Sequence, residues 1–439
     1  MMGKSTVLNI LKTGVVPPGV AKAAAAEGVD VEVMAENMLK GTVVVPAGNT
    51  GRKVLGTGIG SGLKTKVNAN IGSSSEAASI EMELEKLAAA IDAKADTVMD
   101  LSCGGDVTAL RRKLISSCEI PFGTVPIYEA TVEAIDKSGS VVSMDSDDLF
   151  SMVRRHASEG VDFMTIHAGL TRAAIDELQA QGRIMDVVSR GGSFMIAWML
   201  HHDRENPFFE NFEQLLEILA HEDVTISLGD GLRPGCLADA SDRAQMTELA
   251  TLGRLARMAR EAGVQAIIEG PGHVPLQDIE ANIKIAKKLT GGAPLYVLGP
   301  LVTDIAPGYD HVTAAIGGAL AGAAGADYLC YVTAAEHLGL PGPDDVRQGV
   351  VVSRLAAHAA DIAKGIPGAM EWDIRMAKAR KALDWEGQIS LSIDPATARA
   401  VYEDRESGSV DGCSMCGDLC AMKLVSEYLG VKAGEISGC

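Results

Sequence analysis

The sequence predicts an α/β protein: a closed barrel of eight parallel strands, preceded by a small N-terminal domain and followed by a helical tail. Three observations carry this reading. Short β-like runs alternate with helical patterns through the middle of the chain, and such alternation is how parallel β/α units read in sequence. Eight runs can be marked, the number that closes a β/α barrel. Polar, chemically capable residues fall at the ends of the runs, where a barrel gathers them at one mouth.

The first section, residues 1–67, holds two short helical patterns and then a valine-rich strand, Thr42–Pro46. A glycine-rich connection follows, Gly56-Thr-Gly-Ile-Gly-Ser-Gly62. It is neither a phosphate loop nor a dinucleotide fingerprint, because Lys64-Thr65 lacks a preceding glycine and no G-x-G-x-x-G register fits. It reads as a turn-rich linker.

The second section, residues 68–364, is the barrel. Its strand runs are Thr97–Leu101, Thr124–Tyr128, Phe163–His167, Ile184–Ser189, Val224–Leu228, Ala266–Glu269, Leu295–Leu298 and Tyr328–Val332. Helical patterns between them include Ile80–Ala93, Asp147–Ser158, Phe212–Ala220, Met246–Ala262 and Asp278–Lys288. The apolar run Val312–Ala326 is rich in Ala and Gly and too short to span a bilayer, so it reads as a buried, closely packed helix.

The third section, residues 365–439, is helical. Met370–Leu383 is one helix. Asp394-Pro395 opens another that runs to Tyr402, with an N-cap carboxylate and proline at the first position. Glu403–Gly412 is charged and glycine-containing and reads as a mobile tether. It leads to Cys413-Ser-Met-Cys416-Gly-Asp-Leu-Cys420, ahead of the amphipathic stretch Ala421–Tyr428.

Composition narrows the function. Apolar residues make up 47% and aromatics 4%, so the core is aliphatic and packs around 48 glycines. The formal net charge of −19 repels phosphate backbones and anionic lipid, which argues against nucleic acid and membrane partners. Lys4, Lys12, Lys22 and two prolines break up residues 1–31, so no targeting segment is read there and the expected location is cytoplasmic.

The cysteine motif carries the chemistry. Three thiolates hold three irons of a [4Fe–4S] cluster and leave the fourth iron open to bind and reduce a ligand, whereas four make a closed carrier. Structural zinc takes four ligands, and the next cysteine, Cys439, is nineteen residues on. Eight cysteines in 439 residues are too sparse for a disulfide scaffold.

The mouth residues suggest a ligand. At or just past the runs come Asp100, Tyr128, His167, Ser189-Arg190, Asp230 with Arg233, Glu269 with His273, Tyr296 and Glu336-His337. Ser189-Arg190-Gly191-Gly192 offers a hydroxyl, a guanidinium and two open amides, and Arg233 adds a second guanidinium; this suits phosphate. Asp230 and Glu269 accept hydrogen bonds from amines or sugar hydroxyls. His273 and His337 can share a metal, on loops rather than on one helix.

Together these residues resemble the phosphomethylpyrimidine synthase family, a noncanonical radical S-adenosylmethionine group. The resemblance covers nearly the whole chain from Lys64. Its marks are Val67–Gly72, Met99–Ser102, Ser189–Gly192, Asp230–Gly235, Glu269–His273, Leu298–Pro300, Thr303–His311 and Ala335–His337. It implies a (β/α)8 TIM barrel with an N-terminal domain and a helical tail bearing a [4Fe–4S] cluster on Cys413, Cys416 and Cys420. It implies cleavage of S-adenosylmethionine and radical rearrangement of 5-aminoimidazole ribonucleotide to the hydroxymethylpyrimidine phosphate of thiamine. Asn70, Met99, Tyr128, His167, Ser189, Arg190, Gly191, Asp230, Gly231, Leu232, Arg233, Glu269 and Tyr296 would contact the substrate. His273 and His337 would hold a divalent metal, zinc. A homodimer, with one subunit's tail over its partner's barrel, and an electron donor such as ferredoxin or flavodoxin are implied partners.

Other readings stand beside this one. A paralogous group makes 5-hydroxybenzimidazole, a cobamide precursor, from the same substrate, and the altered segment Leu11–Gly19 leaves that branch open. A metal-dependent barrel lyase with structural zinc, and a non-enzymatic iron–sulfur electron carrier, are the alternatives outside this chemistry.

Overall fold

The computed structural model describes residues 5–46, 52, 54, 56–405, 415–416 and 419–429. The chain forms two compact units, Met1–Asp361 and Ile362–Cys439.

The first unit opens with three helices where the sequence suggested two: α1 (Val7–Leu11), α2 (Pro18–Glu27) and α3 (Val31–Lys40). The Asp30 carboxylate caps α3 by accepting from the amides of Glu32 and Val33, and Gly41 ends it in the left-handed region at φ 78°. Strand β1 (Val43–Val44) pairs antiparallel with β2 (Ile59–Gly60), so the expected linker contains a strand. Gly60 is required there, because a Cβ would lie 2.2 Å from the Thr42 carbonyl oxygen. Leu8, Leu11, Val20, Met34, Met38, Val43 and Leu63 build a small apolar core for this section. The Gln265 side chain joins it to the barrel by accepting from the Val45 amide at 2.7 Å and donating to the Val45 carbonyl at 3.2 Å.

The barrel strands are β3 (Lys66–Ile71), β4 (Thr97–Asp100), β5 (Phe122–Thr124), β6 (Phe163–Ile166), β7 (Thr225–Leu228), β8 (Ala266–Gly270), β9 (Leu295–Leu298) and β10 (Tyr328–Cys330). They close in sequence order, with β10 beside β3, and every pairing is parallel. The helices alternating with them are α4 (Ile80–Asp92), α5 (Val107–Ser117), α6 (Pro126–Ser138), α7 (Ser146–Ser158), α8 (Arg172–Gln181), α9 (Arg190–His202), α10 (Pro207–Glu210), α11 (Phe212–Glu222), α12 (Arg243–Glu261), α13 (Ile279–Leu289), α14 (Asp310–Ala324) and α15 (Pro343–Lys364). Asp145 and Asp148 form a full capping box at the start of α7.

Three expectations are corrected. Ile184–Ser189 is not a strand; β3 is the eighth. The amides of Ile184 and Met185 donate to the Asp239 carboxylate, each at 2.9 Å, and Asp186 has φ 45°. β6 already pairs with β7, so no slot remains between them. In β3 the alternating Asn68 and Asn70 lower the apparent strand propensity. Asn68 nonetheless finds partners inside the barrel: its Oδ1 accepts from the Thr97 hydroxyl and its Nδ2 donates to the Tyr296 hydroxyl, both at 2.7 Å.

Second, β5 stops at Thr124, and Pro126 opens α6, so Tyr128 lies in a helix's first turn rather than at a strand end. Third, α14 is only half buried. Gly317, Gly318 and Ala321 pack inward, with a Cβ on Gly317 lying 2.0 Å from the Pro300 carbonyl oxygen, while Val312, Ile316 and Leu320 are exposed.

The second unit contains α16 (Ala369–Ala382), α17 (Trp385–Leu391), α18 (Pro395–Asp404) and α19 (Ala421–Leu429). Asp394 caps α18 through the Thr397 amide, with Pro395 at the first position, as the sequence signals. Trp385 stacks on Tyr402 at 5.2 Å, and Arg399 grips Glu386 with both terminal nitrogens. Residues 406–412 of the expected tether lie outside the described residues. No helix among the described residues is long and apolar enough to cross a membrane.

Candidate active site at the barrel mouth

Asn70, Met99, Tyr128, His167, Asp230, Arg233, Glu269 and Tyr296 line one open cavity. Most come from the C-terminal end of a strand or the loop after it, with Tyr128 from the first turn of α6 and Tyr296 from within β9, so the barrel's parallel order brings them together.

The remaining expected contacts surround this cavity through tight backbone packing. Ser189 caps α9, accepting from the Gly192 amide at 3.2 Å, and its hydroxyl meets His167 Nε2 at 3.2 Å. Gly191 lies against the imidazole; a Cβ there would be 2.2 Å from His167 Cε1. Gly192 packs on Gly231, with a Cβ 2.5 Å from the Gly231 oxygen. Arg190 stands over the Tyr128 ring at 5.1 Å. Its guanidinium also borders a neighbouring cavity with Asn70, Cys103 and Glu336. Leu232 is fully buried, so only its backbone faces the loop surface.

Burial sets the charges. His167 is pushed down to about 3 by burial, helped by Arg233, and is neutral at physiological pH. Burial raises Asp230 well above the carboxylate range, and the nearby Arg233, 3.4 Å away, opposes this. Glu269 is also raised by burial. Thr165 and Ser227 both donate to its Oε1, at 2.7 and 3.0 Å. His167 Nδ1 and Asp230 Oδ2 are buried with no hydrogen-bond partner among the described residues. Buried polar atoms are nearly always paired, and these two have no partner from the protein.

The structure adds residues that sequence reasoning missed. Cys330 lines the cavity at the end of β10 and accepts from Asn70 Nδ2 at 3.0 Å. Burial pushes its thiol up to about 12, so it stays protonated. Its run was visible in the sequence, and a two-residue period from Tyr328 points to it. Thr165 and Ser227 had no such signal. Asp100, by contrast, turns to its own loop, accepting from the Ser102 amide at 2.9 Å.

His273 and His337 approach with ring centroids 5.4 Å apart. His273 Nδ1 meets Asp304 Oδ1 at 2.7 Å, and His337 Nδ1 lies 3.1 Å from Asp310 Oδ2. Asp304 orients the His273 ring by this hydrogen bond, whereas Asp310 Oδ2 is near His337 without a hydrogen bond to it. Among the described residues no group of three or more His, Cys, Asp or Glu side chains is placed to hold a metal.

Of the cluster motif, Cys413 lies outside the described residues, as does Cys439. Cys416 is exposed and Cys420 half-buried, and both are free thiols. Cys420 directly precedes α19, and Cys416 lies four residues before Cys420. These two fit a cluster, being accessible and four residues apart.

Comparison with known proteins adds three relatives and a family. The profile of the Radical SAM ThiC family matches residues 6–427. The phosphomethylpyrimidine synthase of Desulforudis audaxviator (strain MP104C) is 57% identical over 95% of this chain and 96% of its own length. That of Desulforamulus reducens is 57% identical over 97% of this chain and 98% of its own. That of Moorella thermoacetica is 57% identical over the same shares, 97% and 98%.

Proposed function

The chain belongs to the radical SAM ThiC family, and from that premise we infer that it acts as a phosphomethylpyrimidine synthase in thiamine biosynthesis. Its reaction is the S-adenosylmethionine-dependent rearrangement of 5-aminoimidazole ribonucleotide to 4-amino-5-hydroxymethyl-2-methylpyrimidine phosphate. The relatives at 57% identity all bear that name, which favours the pyrimidine over the benzimidazole product. The observation that carries the reading at the site is the buried pair of unpartnered atoms, His167 Nδ1 and Asp230 Oδ2, in a cavity flanked by two arginines.

The residues divide the work as follows. Arg190, the Gly191 amide at the start of α9 and Arg233 take the phosphate, by charge and by the helix's positive end. Asp230 and Glu269 accept from ribose hydroxyls or the amine, and neutral His167 donates or accepts without adding charge. Asn70, Met99, Tyr128 and Tyr296 enclose the imidazole. Ser189, Gly231 and Leu232 shape the loops around it. Holding the ribose C–H in one position and excluding water are the protein's share of radical chemistry.

Cys413, Cys416 and Cys420 would hold the [4Fe–4S] cluster, which supplies the electron that cleaves S-adenosylmethionine to methionine and a 5′-deoxyadenosyl radical. His273 and His337 would hold a divalent metal, zinc, as a fixed positive charge beside the mouth. The electron comes from a donor such as ferredoxin or flavodoxin, and the cluster's need for a reducing setting favours the cytoplasm. In this division residues 1–67 form the N-terminal domain, 68–364 bind substrate and 365–439 carry the cluster. A homodimer in which the tail of one copy covers the mouth of another is supported by exposed apolar residues on the mouth loops: Ile184, Leu276, Ile305 and Leu338.

The test is turnover. Anaerobically reconstituted, reduced protein given S-adenosylmethionine and the ribonucleotide should yield hydroxymethylpyrimidine phosphate by chromatography and mass. A phosphate-free fluorescent benzimidazole would assign the other product, and no cleavage of S-adenosylmethionine would overturn the radical reading.

A further inference from the structure

The loop carrying Asp230 and Arg233 is gripped from below by a charge that the chemistry above does not use. Glu248 lies in the middle of α12 and is 1% exposed. Its Oε1 accepts from the Gly231 amide at 2.9 Å and its Oε2 from the Leu232 amide at 2.7 Å. A buried carboxylate is costly unless paired, and these two consecutive amides are the hydrogen bonds it makes. On the next peptide of the loop, Arg183 Nη2 donates to the Leu232 carbonyl at 2.7 Å. Arg183 is itself held by Asp242, the cap of α12, at 2.7 and 2.8 Å.

The fit leaves no slack. A Cβ on Gly231 would lie 3.0 Å from Glu248 Oε1, and Gly192 presses on Gly231 from above. Any shift of residues 230–233 would therefore move Asp230 and Arg233 and disturb the first turn of α9 together.

We propose that Glu248 is a positioning residue for substrate: its ionised carboxylate, with Arg183, holds residues 230–233 in the conformation that binds the ribonucleotide. This rests on the reading that the 230–233 loop binds substrate. Burial raises Glu248 to about 7, opposed by the Leu232 and Gly231 amides and by Arg183 and Arg233, with Asp230 the nearby carboxylate. Above that pH the carboxylate accepts from both amides. As pH falls through it, protonation removes one acceptor and the grip weakens.

The experiment measures ribonucleotide affinity by titration calorimetry from pH 6 to 8.5 for wild type, Glu248→Gln and Arg233→Ala. Glu248→Gln keeps one acceptor and turns an N–H₂ toward the other amide. It should bind about ten-fold more weakly at pH 8, with kcat at saturation within about three-fold and unchanged far-UV circular dichroism. Wild type should lose affinity on acidification more steeply than the variant, since the substrate's own phosphate titrates in both. Arg233→Ala separates the two ideas. If it binds normally, the loop is not the substrate site and this proposal falls with that reading. If it binds poorly while Glu248→Gln matches wild type at every pH, the positioning role alone is overturned. Should Glu248→Gln fail to fold, the corresponding nucleoside, which has no titrating phosphate, tests wild type directly: affinity that falls on acidification supports the proposal, and a flat profile overturns it.

Discussion

Glu269 shows how single side chains are prepared at this mouth. Thr165 and Ser227 both donate to its Oε1, and the Asp230 amide also favours its charged form. Arg233 is the complementary cation, only 3.4 Å from Asp230 and one-fifth exposed. Removing it with Arg233→Ala deletes a charge-assisted contact worth about 1.5–3 kcal/mol, so ribonucleotide affinity should fall about 10- to 150-fold by calorimetry. Affinity within two-fold of wild type would place the ligand elsewhere. His273 is oriented by Asp304 at 2.7 Å. His273→Ala should therefore purify with far less bound metal, read by mass spectrometry of the ashed protein, while its circular dichroism is unchanged. Full metal occupancy in that variant would remove the histidine pair from consideration.

At the scale of elements, the first turn of α9 is held by close packing against its neighbours. Gly191 is tolerated where it is because the His167 ring takes the space of its missing side chain. Gly191→Ala forces 2.2 Å contact with that ring, an overpacking that costs about 1–3 kcal/mol. The variant should melt at lower temperature and bind ribonucleotide weakly; wild-type melting and affinity would contradict the interlocked packing. In the second unit, Ala in place of any one of Cys413, Cys416 or Cys420 should abolish cluster assembly and S-adenosylmethionine cleavage. Ribonucleotide binding should survive, because the barrel lies in the other unit. Loss of the cluster in Cys439→Ala would replace the open-iron assignment with a closed four-thiolate site.

For the whole molecule, apolar surface at the mouth implies a cover. Ile305 is 90% exposed and Leu338 68%, on the loops after β9 and β10. Exposed apolar patches of this kind mark interaction surfaces. The double variant Ile305→Asp, Leu338→Asp should shift the protein from dimer toward monomer in analytical ultracentrifugation without lowering its melting temperature. A wild-type protein that is monomeric throughout would dispose of the dimer. The strand–helix alternation, six of the eight barrel strands with the edge of a seventh at Thr124, most of the mouth residues and the three-thiol spacing were legible in the chain, because period and spacing are local properties. Which run supplies the eighth strand was decided by tertiary structure alone. Ile184–Ser189 has the pattern of a strand, but its amides are taken by Asp239 and β6 and β7 already pair. Lys66–Ile71 alternates polar and apolar residues but with asparagines of low strand propensity, and these are satisfied in space: Asn68 by Thr97 and Tyr296 across the barrel, Asn70 by Asn68 and Cys330. The same holds for Cys330 against Asn70 and Glu248 beneath Gly231, contacts between residues 260 and 17 positions apart. Hydrogen-bond supply and burial are settled by neighbours in space, and a linear sequence does not carry that information residue by residue.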